Sequence, residues 1–366
     1  MLEHSTAPEP RASGFDAITV SLVGDVLLHR PILDQKTSDG QYDFAKNMAA
    51  IAPSIQRSSI AVANQECITA GEEYGLIGFK KFNSPVQLLD ALKTTGFDVL
   101  NVANNHMTDK GEQALLASMK HAEDRGFLIT GAAETPKKLT ESAVMEADGV
   151  RVGFVSFADG SKIGKPDQEK VKINSFPGEN ARTSMYRRIV RVQNQVDEMR
   201  KRADVVILQL HFGEEYNRIP SAFQLEFAAS LAETDVDAIV CHHPHVLQPV
   251  EWVENSKGRH VLVAYSLGNF FSGQQGLYRQ IGGILSFTIE TQETPNGKLH
   301  QITHPTVELT YVDVEEGYTL KPLHQVIRAR SELPSEPGAT LWRNSTEIYN
   351  RVRRLVTSMD STVTVY

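Results

Sequence analysis

The chain has 366 residues, of which 41% are apolar and 22% charged, so it can bury a sizeable core as one large or two ordinary domains. Its net charge of −8 and its lack of a Lys/Arg run exclude the basic surface by which proteins bind nucleic acid or anionic membranes. No apolar run is long enough to span a bilayer, and the polar, proline-containing start does not resemble a signal peptide. We expect a soluble chain with a disordered leader over residues 1–16. Its location stays unassigned, since an extracytoplasmic protein that had lost an N-terminal anchor would show the same pattern.

Short apolar runs alternate with helical patterns in the first half of the chain. The predicted strands are residues 18–25, 59–66, 97–106 and 127–132. The helical patterns at 84–96 and 109–126 end on Gly96 and Gly126, and glycine is favoured just past a helix C-terminus. Strands that alternate with helices indicate βαβ units.

The second half mixes hairpins with further strands and helices. Asp148-Gly149 and Asn296-Gly297 each predict a β-hairpin turn. A long polar segment, 159–184, is typical of a functional or disordered loop. The remaining predictions are helices at 185–202, 221–235 and 340–357 and strands at 204–213, 237–245 and 260–271. We therefore predict an α/β domain with mixed sheets over 17–295, followed by a C-terminal hairpin and helix over 296–366.

Polar side chains collect where the predicted strands end, and ligands of open α/β folds bind at that edge. Six of the 12 histidines lie there. The candidates are Asp25, His29, Asn64, Glu66, Asn104, Asn105, His106, His211, Glu214, Glu215, His242, His243 and His245. Imidazole favours Zn, Fe or Mn, whereas carboxylate and amide oxygens extend the choice to Mn and Mg. The pattern predicts a site for one or two divalent ions.

The stretch CHHPH, residues 241–245, is the densest part of this pattern. Pro244 fixes its own φ and disfavours the helical region for His243, so we expect an extended segment. Residues two apart then point the same way, which makes His243 and His245 the expected ligand pair. His242 would point to the opposite side, behind the ligands or toward a substrate.

Each candidate taken alone also has a structural interpretation. Asp25 would serve as a helix cap or turn former, residues 104–106 as a turn, and His211 as a buried, hydrogen-bonded histidine. The coincidence of five strand ends favours the metal site. Cys67 and Cys241 could be ligands or nucleophiles, but side chains that point away from their polar neighbours favour burial as small apolar residues.

Six stretches also resemble a known family in order and wording: SLVGDVLLHR, ANQECITA, NVANNHMTDKG, LQLHFGEEY, CHHPHVLQPVE and VAYSLGNF. They are similar to the bacterial capsule-synthesis CapA (PgsA) family, whose proteins are associated with poly-γ-glutamate capsule and resemble calcineurin-like metallophosphatases. The resemblance runs from about Ile18 to Phe270. It implies an α/β, metallophosphatase-like sandwich of two mixed β-sheets flanked by helices.

The resemblance also implies residue roles. Asn105 matches a metal ligand and His106 a general acid or transition-state donor, while His211, His243 and His245 match further ligands. The phosphatases open with Asp-x-His, whereas Asp25 is followed by Val-Leu-Leu-His. Glu66 replaces their bridging Asp, in an Asn-Gln-Glu where the capsule family more often has Asn-Leu-Glu. Cys241 stands where that family has Gly.

The expected function is a metal-dependent hydrolase or transferase linked to poly-γ-glutamate capsule biosynthesis, acting on a phosphoester or γ-glutamyl amide through a metal-activated water. The expected ligands are Asp25, Glu66, Asn105, His211, His243 and His245, with His106 and Asn105 catalytic. Residues expected behind the ligands or on the substrate are His29, Asn64, Asn104, Glu214, Glu215, Tyr216, His242 and Asn269.

The expected partners follow from this chemistry. They are an anionic polymer or phosphoester, received by Lys80, Lys81 or the 159–184 loop, and membrane proteins of capsule synthesis, with no nucleic acid. The alternative hypothesis is a non-catalytic binding or assembly subunit of a polymer synthesis and export complex.

Overall fold

The computed structural model describes residues 16–141, 143–164, 170–295, 297–331 and 345–366. The leader predicted for 1–16 lies outside these ranges except for Asp16, as do Asn296 and the first residues of the helix predicted from 340. Within the described ranges, every helix is too short or too polar to span a bilayer.

The described residues form twenty strands and eleven α-helices in chain order. The strands are β1 (Asp16–Leu27), β2 (Ile60–Gln65), β3 (Ile77–Gly78), β4 (Phe82–Asn83), β5 (Val99–Asn101), β6 (Leu128–Thr130), β7 (Ala132–Ala133), β8 (Val144–Ala147), β9 (Val150–Asp159), β10 (Lys172–Ile173), β11 (Ser175–Phe176), β12 (Val205–His211), β13 (Ala238–His242), β14 (Val250–Glu254), β15 (His260–Ala264), β16 (Asn269–Ser272), β17 (Ile281–Thr294), β18 (Gly297–Asp313), β19 (Thr319–Pro322) and β20 (Thr364–Val365). The helices are α1 (Arg30–Leu33), α2 (Ala45–Met48), α3 (Ala52–Gln56), α4 (Gln87–Thr95), α5 (Glu112–Glu123), α6 (Lys138–Glu141), α7 (Met185–Arg200), α8 (Ala222–Ala232), α9 (Leu277–Gln280), α10 (Leu323–Ser331) and α11 (Ser345–Val356), and Glu72–Tyr74 form a 3₁₀ turn.

Two large sheets carry the fold, and both are mixed. The first has the order β19-β18-β17-β1-β2-β5-β6, with β16 beside β1 and β20 beside β18. In this sheet β1, β2, β5 and β6 run parallel, whereas β17 is antiparallel to β1. The second has the order β11-β9-β12-β13-β15-β14, with β8 beside β9. Its central strands β9, β12, β13 and β15 are parallel, and β8 and β14 are antiparallel.

The main core lies between the sheets, because successive side chains of a strand point to opposite faces of its sheet. Val20, Leu22 and Val62 belong to the cluster that also holds the strands of the second sheet. Ala61 and Ala63 lie in a separate cluster with the helices on the other face of the first sheet. Each fully buried Val or Leu contributes about 1.5 to 3 kcal/mol to folding. The predicted sandwich of two mixed sheets flanked by helices is confirmed.

Most predicted elements are present, and the hairpin at Asp148-Gly149 has both turn residues in the left-handed region, with φ of 46° and 78°. The second hairpin joins β17 to β18, which extend the first sheet beside β1. The division at residue 296 stays a prediction.

Three predicted strands end early. The strand predicted to reach His106 stops at Asn101, whose Oδ1 accepts a hydrogen bond from the Ala103 backbone N–H and so turns the chain. The strand predicted to reach residue 245 stops at His242. The segment 260–271 is two strands, β15 in the second sheet and β16 in the first, because the chain crosses between the sheets at 265–268.

Candidate metal centre

The carboxyl ends of strands from both sheets meet at one place. Asp25 lies near the end of β1, Glu66 directly follows β2, and His211 ends β12. In the first sheet Asp25 pairs with Asn64 on one side and with Asn269 on the other. In the second sheet His211 pairs with His242. The topology therefore brings acids from one sheet and histidines from the other to a common point.

Two overlapping groups of side chains at this point have metal-binding geometry. Asp25, Glu66 and His211 form one group, and Glu66, His243 and His245 the other. Within each group the candidate ligand atoms lie within 4.8 Å of one another, and every member is buried. Glu66 belongs to both groups, so its two carboxylate oxygens could serve two ions.

The polar atoms of the site fit a cation. Neither Glu66 oxygen has a hydrogen bond among the described residues, although its Oε1 lies 3.3 Å from His211 Nε2 and its Oε2 lies 3.7 Å from His245 Nδ1. Burial raises the pKa of Glu66, and the charge of Asp25 adds to this effect while His245 opposes it. Two carboxylates and several imidazoles buried together are the ligands that Zn, Fe and Mn prefer.

The protonation of the histidines also suits ligands. Burial lowers the pKa of His211 to about 3 and that of His243 well below its ordinary value, so both are neutral at neutral pH. A metal requires the neutral imidazole. Burial also lowers the pKa of His245, but Glu66 and Asp25 outweigh it and leave the pKa raised, with Nδ1 2.9 Å from Asp25 Oδ2. That ion pair similarly outweighs burial at Asp25 and leaves its pKa lowered.

The expectation that residues 243–245 are extended is wrong. His243 has φ of 100° and His245 has φ of 58°, so the chain bends twice around Pro244. Their rings still lie 5.9 Å apart in the same site. The left-handed backbone at His243 and His245 brings the two side chains together, as an extended backbone was expected to do. Such backbone conformations cost about 1 to 3 kcal/mol each and cluster at functional sites.

His242 and His29 lie outside both ligand groups. His242 was expected behind the ligands or toward a substrate, and it lies buried behind the Asp25 carboxylate, with Nδ1 3.8 Å from Asp25 Oδ1. The His29 ring contacts the protein through Nδ1, at 3.0 Å from the Leu27 carbonyl oxygen and 3.4 Å from Ser272 Oγ.

Asparagines hold the ligands in place. Asn64 donates to Asp25 Oδ1 at 2.8 Å, and Asn101 in turn donates to Asn64 Oδ1 at 2.9 Å. On the other side, Asn269 Oδ1 lies 3.1 Å from His245 Nδ1. Such contacts behind the ligands fix their orientation. Asn101 was not among the predicted residues, although it ends an apolar strand as the others do.

The loop after β5 brings a third group to the site. Asn104 fixes this loop, because its amide donates to the Gln65 carbonyl oxygen at 2.8 Å and its Oδ1 accepts from the His106 backbone N–H. Asn105 Oδ1 lies 2.8 Å from His211 Nε2, within reach of the first ligand group.

His106 is paired with a carboxylate that the sequence analysis missed. Its Nδ1 lies 2.8 Å from Asp109 Oδ2, and the same oxygen accepts the Phe82 backbone N–H. Burial lowers the pKa of His106, but Asp109 and the charge of Glu66 outweigh it and leave the pKa raised. The signal in the sequence was the acid three residues later in NNHMTDKG.

The residues after β12 form the rim of the site. Glu214, Glu215 and Tyr216 are exposed, and the Tyr216 ring lies 6.1 Å from that of His245. Cys67 and Cys241 are buried and free, as the apolar interpretation predicts, and burial raises the pKa of both thiols.

Comparison with known proteins agrees with the sequence resemblance. Residues 19–274 match the family described as bacterial capsule synthesis protein PGA_cap. The capsule biosynthesis protein CapA of Bacillus anthracis is 28% identical over 267 residues, which are 71% of this chain and 61% of that protein. The PGA biosynthesis protein CapA of Bacillus subtilis is 27% identical over 323 residues, 85% of this chain and 75% of that protein.

This chain thus spans about three fifths of the length of the Bacillus anthracis relative. Among solved structures, a crystal structure of a protein from Thermus thermophilus aligns with a TM-score of 0.37 and 10% identity, covering 74% of this chain and 94% of that one. Because the family match covers more than half of its residues, this chain belongs to the bacterial capsule synthesis protein family PGA_cap.

Proposed function

We propose that this protein is a metal-dependent hydrolase of capsule biosynthesis that cleaves a phosphoester or a γ-glutamyl amide. The observation that carries the proposal is the pair of buried ligand groups that share Glu66, with a carboxylate-bound histidine beside them. A purely structural cluster has no need of a carboxylate whose oxygens both lack hydrogen bonds.

The chain's own residues have distinct tasks in this mechanism. The ion would be held by Asp25, Glu66, Asn105, His211, His243 and His245. When bound, a divalent ion supplies Lewis acidity and activates water for attack on a phosphoryl or acyl centre. His106 keeps its proton because Asp109 accepts from Nδ1, and Nε2 donates a proton to the leaving oxygen or nitrogen.

The substrate class rests on the relatives. They are named for capsule biosynthesis and for PGA biosynthesis, which points to an anionic polymer or its precursor as the substrate here. A polymer of this kind would bring membrane proteins of capsule synthesis into contact with this chain. The net charge of −8 would repel such a substrate, so cations near the site have to offset the repulsion.

Metal content is the first test. The protein is treated with a chelator, reloaded with Mn, Zn, Fe or Mg, and analysed by mass spectrometry. We expect about one or two ions per chain and loss of at least one in His243→Ala. His29→Ala is the matched control, because His29 lies outside both ligand groups, and we expect it to retain the ions.

The loaded protein is then assayed on phosphoesters and γ-glutamyl peptides. Failure of the wild type to retain any ion under every loading condition would contradict the proposal. Retention of ions without turnover of either substrate class would instead support a binding or assembly subunit that uses the site without chemistry.

A further inference from the structure

A lysine from the second sheet lies against the candidate ligands. Lys162 follows β9, and its Nζ lies 2.6 Å from His243 Nε2 and donates to the Gly213 carbonyl oxygen at 2.7 Å. The turn is fixed by Asp159, whose Oδ1 accepts from the Ser161 backbone N–H at 2.8 Å and from its hydroxyl. The ammonium group is therefore held beside one of the two ligand groups by a defined turn.

The same segment reaches the other sheet. Gly164, two residues after Lys162, accepts a hydrogen bond from Thr108 Oγ1 at 3.3 Å. Thr108 belongs to the loop that carries Asn105 and His106. The segment that carries Lys162 thus contacts both the histidines of the second sheet and the loop that carries the proposed proton donor.

An arginine lies beside Tyr216 at the rim of the site. Arg279 is part of α9, and its carbonyl oxygen accepts from Asn269 Nδ2 at 2.9 Å, while Asn269 Oδ1 contacts His245. The guanidinium lies 4.9 Å from the centre of the Tyr216 ring, which in turn lies 6.1 Å from the His245 ring. Arg279 is thereby linked to His245 only indirectly, through Asn269 at its backbone and through Tyr216 at its guanidinium.

One loop supports both cations. Gly213 contacts Lys162 and Tyr216 contacts Arg279, and both belong to the segment between β12 and α8. Tyr216 has φ of 64°, and its backbone N–H donates to the Pro244 carbonyl oxygen at 2.8 Å, so this loop is fastened to the ligand segment. The loop between β12 and α8 therefore connects both cations to the segment that carries the candidate ligands.

Neither cation forms an ion pair with a described carboxylate, although Asp159, Glu214 and Glu215 lie near enough to act on the charge of Lys162. Among the described residues, no carboxylate oxygen lies within 4.0 Å of Lys162 Nζ or of the Arg279 guanidinium, although acids outnumber bases by eight in this chain. Two cations beside a metal centre attract anionic ligands and can form strong, charge-assisted hydrogen bonds with them.

We propose that Lys162, beside His243, and Arg279, beside Tyr216, bind an oxyanion of the substrate and so restrict the site to substrates with a phosphate or carboxylate next to the bond that is cleaved. This inference rests on the proposed metal-dependent function. Lys162 and Arg279 are then specificity residues, while the ligands and His106 carry the chemistry.

The test measures anion binding directly. Calorimetry gives the Kd of inorganic phosphate and of a γ-linked glutamate tripeptide for the Mn-loaded and the chelator-treated protein. We expect Lys162→Met and Arg279→Met each to weaken binding of the preferred probe by about tenfold or more, as the loss of a charge-assisted hydrogen bond implies. Lys162→Arg and Arg279→Lys should retain more of the affinity. Lys257→Met, which removes the same charge from an exposed turn before β15, should leave Kd unchanged.

The outcomes separate this inference from the proposed function. A phosphate preference assigns the oxyanion to a phosphoester and a tripeptide preference assigns it to a γ-glutamyl chain; both support the inference. Unchanged Kd in both Met variants, with ions retained, would overturn it and leave the hydrolase proposal standing. Weakened anion binding in a protein that retains no ion would support the two cations and reject the hydrolase. Loss of ions in Lys162→Met would make Lys162 a support for His243 and overturn its assignment.

Discussion

Glu66 has the most demanding environment of any single residue in the described part of the site. It is fully buried, belongs to both ligand groups and has no hydrogen bond to either oxygen. An ionised carboxylate in such surroundings costs several kcal/mol unless a cation compensates it. Burial disfavours the charged form and so raises the pKa of Glu66. A bound ion would remove this cost.

Asp109 is a positioning residue, since it acts through His106. We predict that His106→Ala lowers kcat about 10²- to 10⁴-fold, as loss of a general acid does. Asp109→Asn should lower kcat less, because the amide oxygen can still accept from the Phe82 backbone N–H while the charge that holds the His106 proton is gone. Both variants should keep the metal content and KM of the wild type.

Steady-state kinetics on any substrate turned over by the wild type, with mass spectrometry of the bound ions, checks this prediction. A structural role for Asp109 would lower metal content or change KM together with kcat. Equal kcat in wild type and Asp109→Asn would remove Asp109 from the mechanism.

A bulge in β1 sets the position of Asp25 at the site. The pairing of β1 with β2 shifts between Val23 and Asp25, so Gly24 is the extra residue. A Cβ on Gly24 would lie 1.9 Å from the Gly268 carbonyl oxygen, and that oxygen accepts the Asp25 backbone N–H at 2.9 Å. The strand therefore needs glycine here for space, beside the residue that provides a ligand.

We predict that Gly24→Ala destabilises the protein by about 2 kcal/mol or more, because the clash is with backbone and overpacking typically costs 1 to 3 kcal/mol. Urea unfolding measures the free energy. Gly164→Ala is the control, since the nearest atom to its Cβ would be the Thr108 hydroxyl oxygen at 3.2 Å, which can rotate away. Equal stability of the two variants would contradict the spatial argument.

The candidate metal centre is formed by residues from both sheets. Asp25, Glu66 and Asn105 lie at or after the ends of strands of the first sheet, whereas His211, His243 and His245 lie at or after the ends of strands of the second. The sheets also make a polar contact away from the site, where Thr130 Oγ1 of β6 donates to Ser156 Oγ of β9 at 3.1 Å. An ion held by both sets would cross-link the sandwich.

We predict that ion binding stabilises the fold by about 3 kcal/mol at an ion concentration 100-fold above Kd. The melting temperature of wild type should rise on loading with Mn and fall on addition of a chelator. His243→Ala should lose most of this rise, while His29→Ala keeps it. An equal rise in His243→Ala and wild type would mean that the ion binds elsewhere.

Local signals in the sequence are enough to predict the order of most elements and the residue types of the site. Alternation of apolar residues, glycines after helices and the Asp148-Gly149 turn are local signals, and local geometry follows from them. The strand-end positions of Asp25, Glu66, His211 and the CHHPH histidines could be listed for the same reason. The family could also be recognised, because each of its motifs is a continuous stretch of sequence.

Which atoms meet depends on how the two sheets pack. The bend at His243 and His245 and the crossing of the chain at 265–268 depend on contacts with distant strands, which no local pattern encodes. Lys162 and Arg279 reach the site from a loop and a short helix, where neither period nor spacing marks a side chain as functional. Distance in the chain does not determine distance in space, and the ligand groups, the proton donor and the two cations exist as a unit only once both sheets have packed.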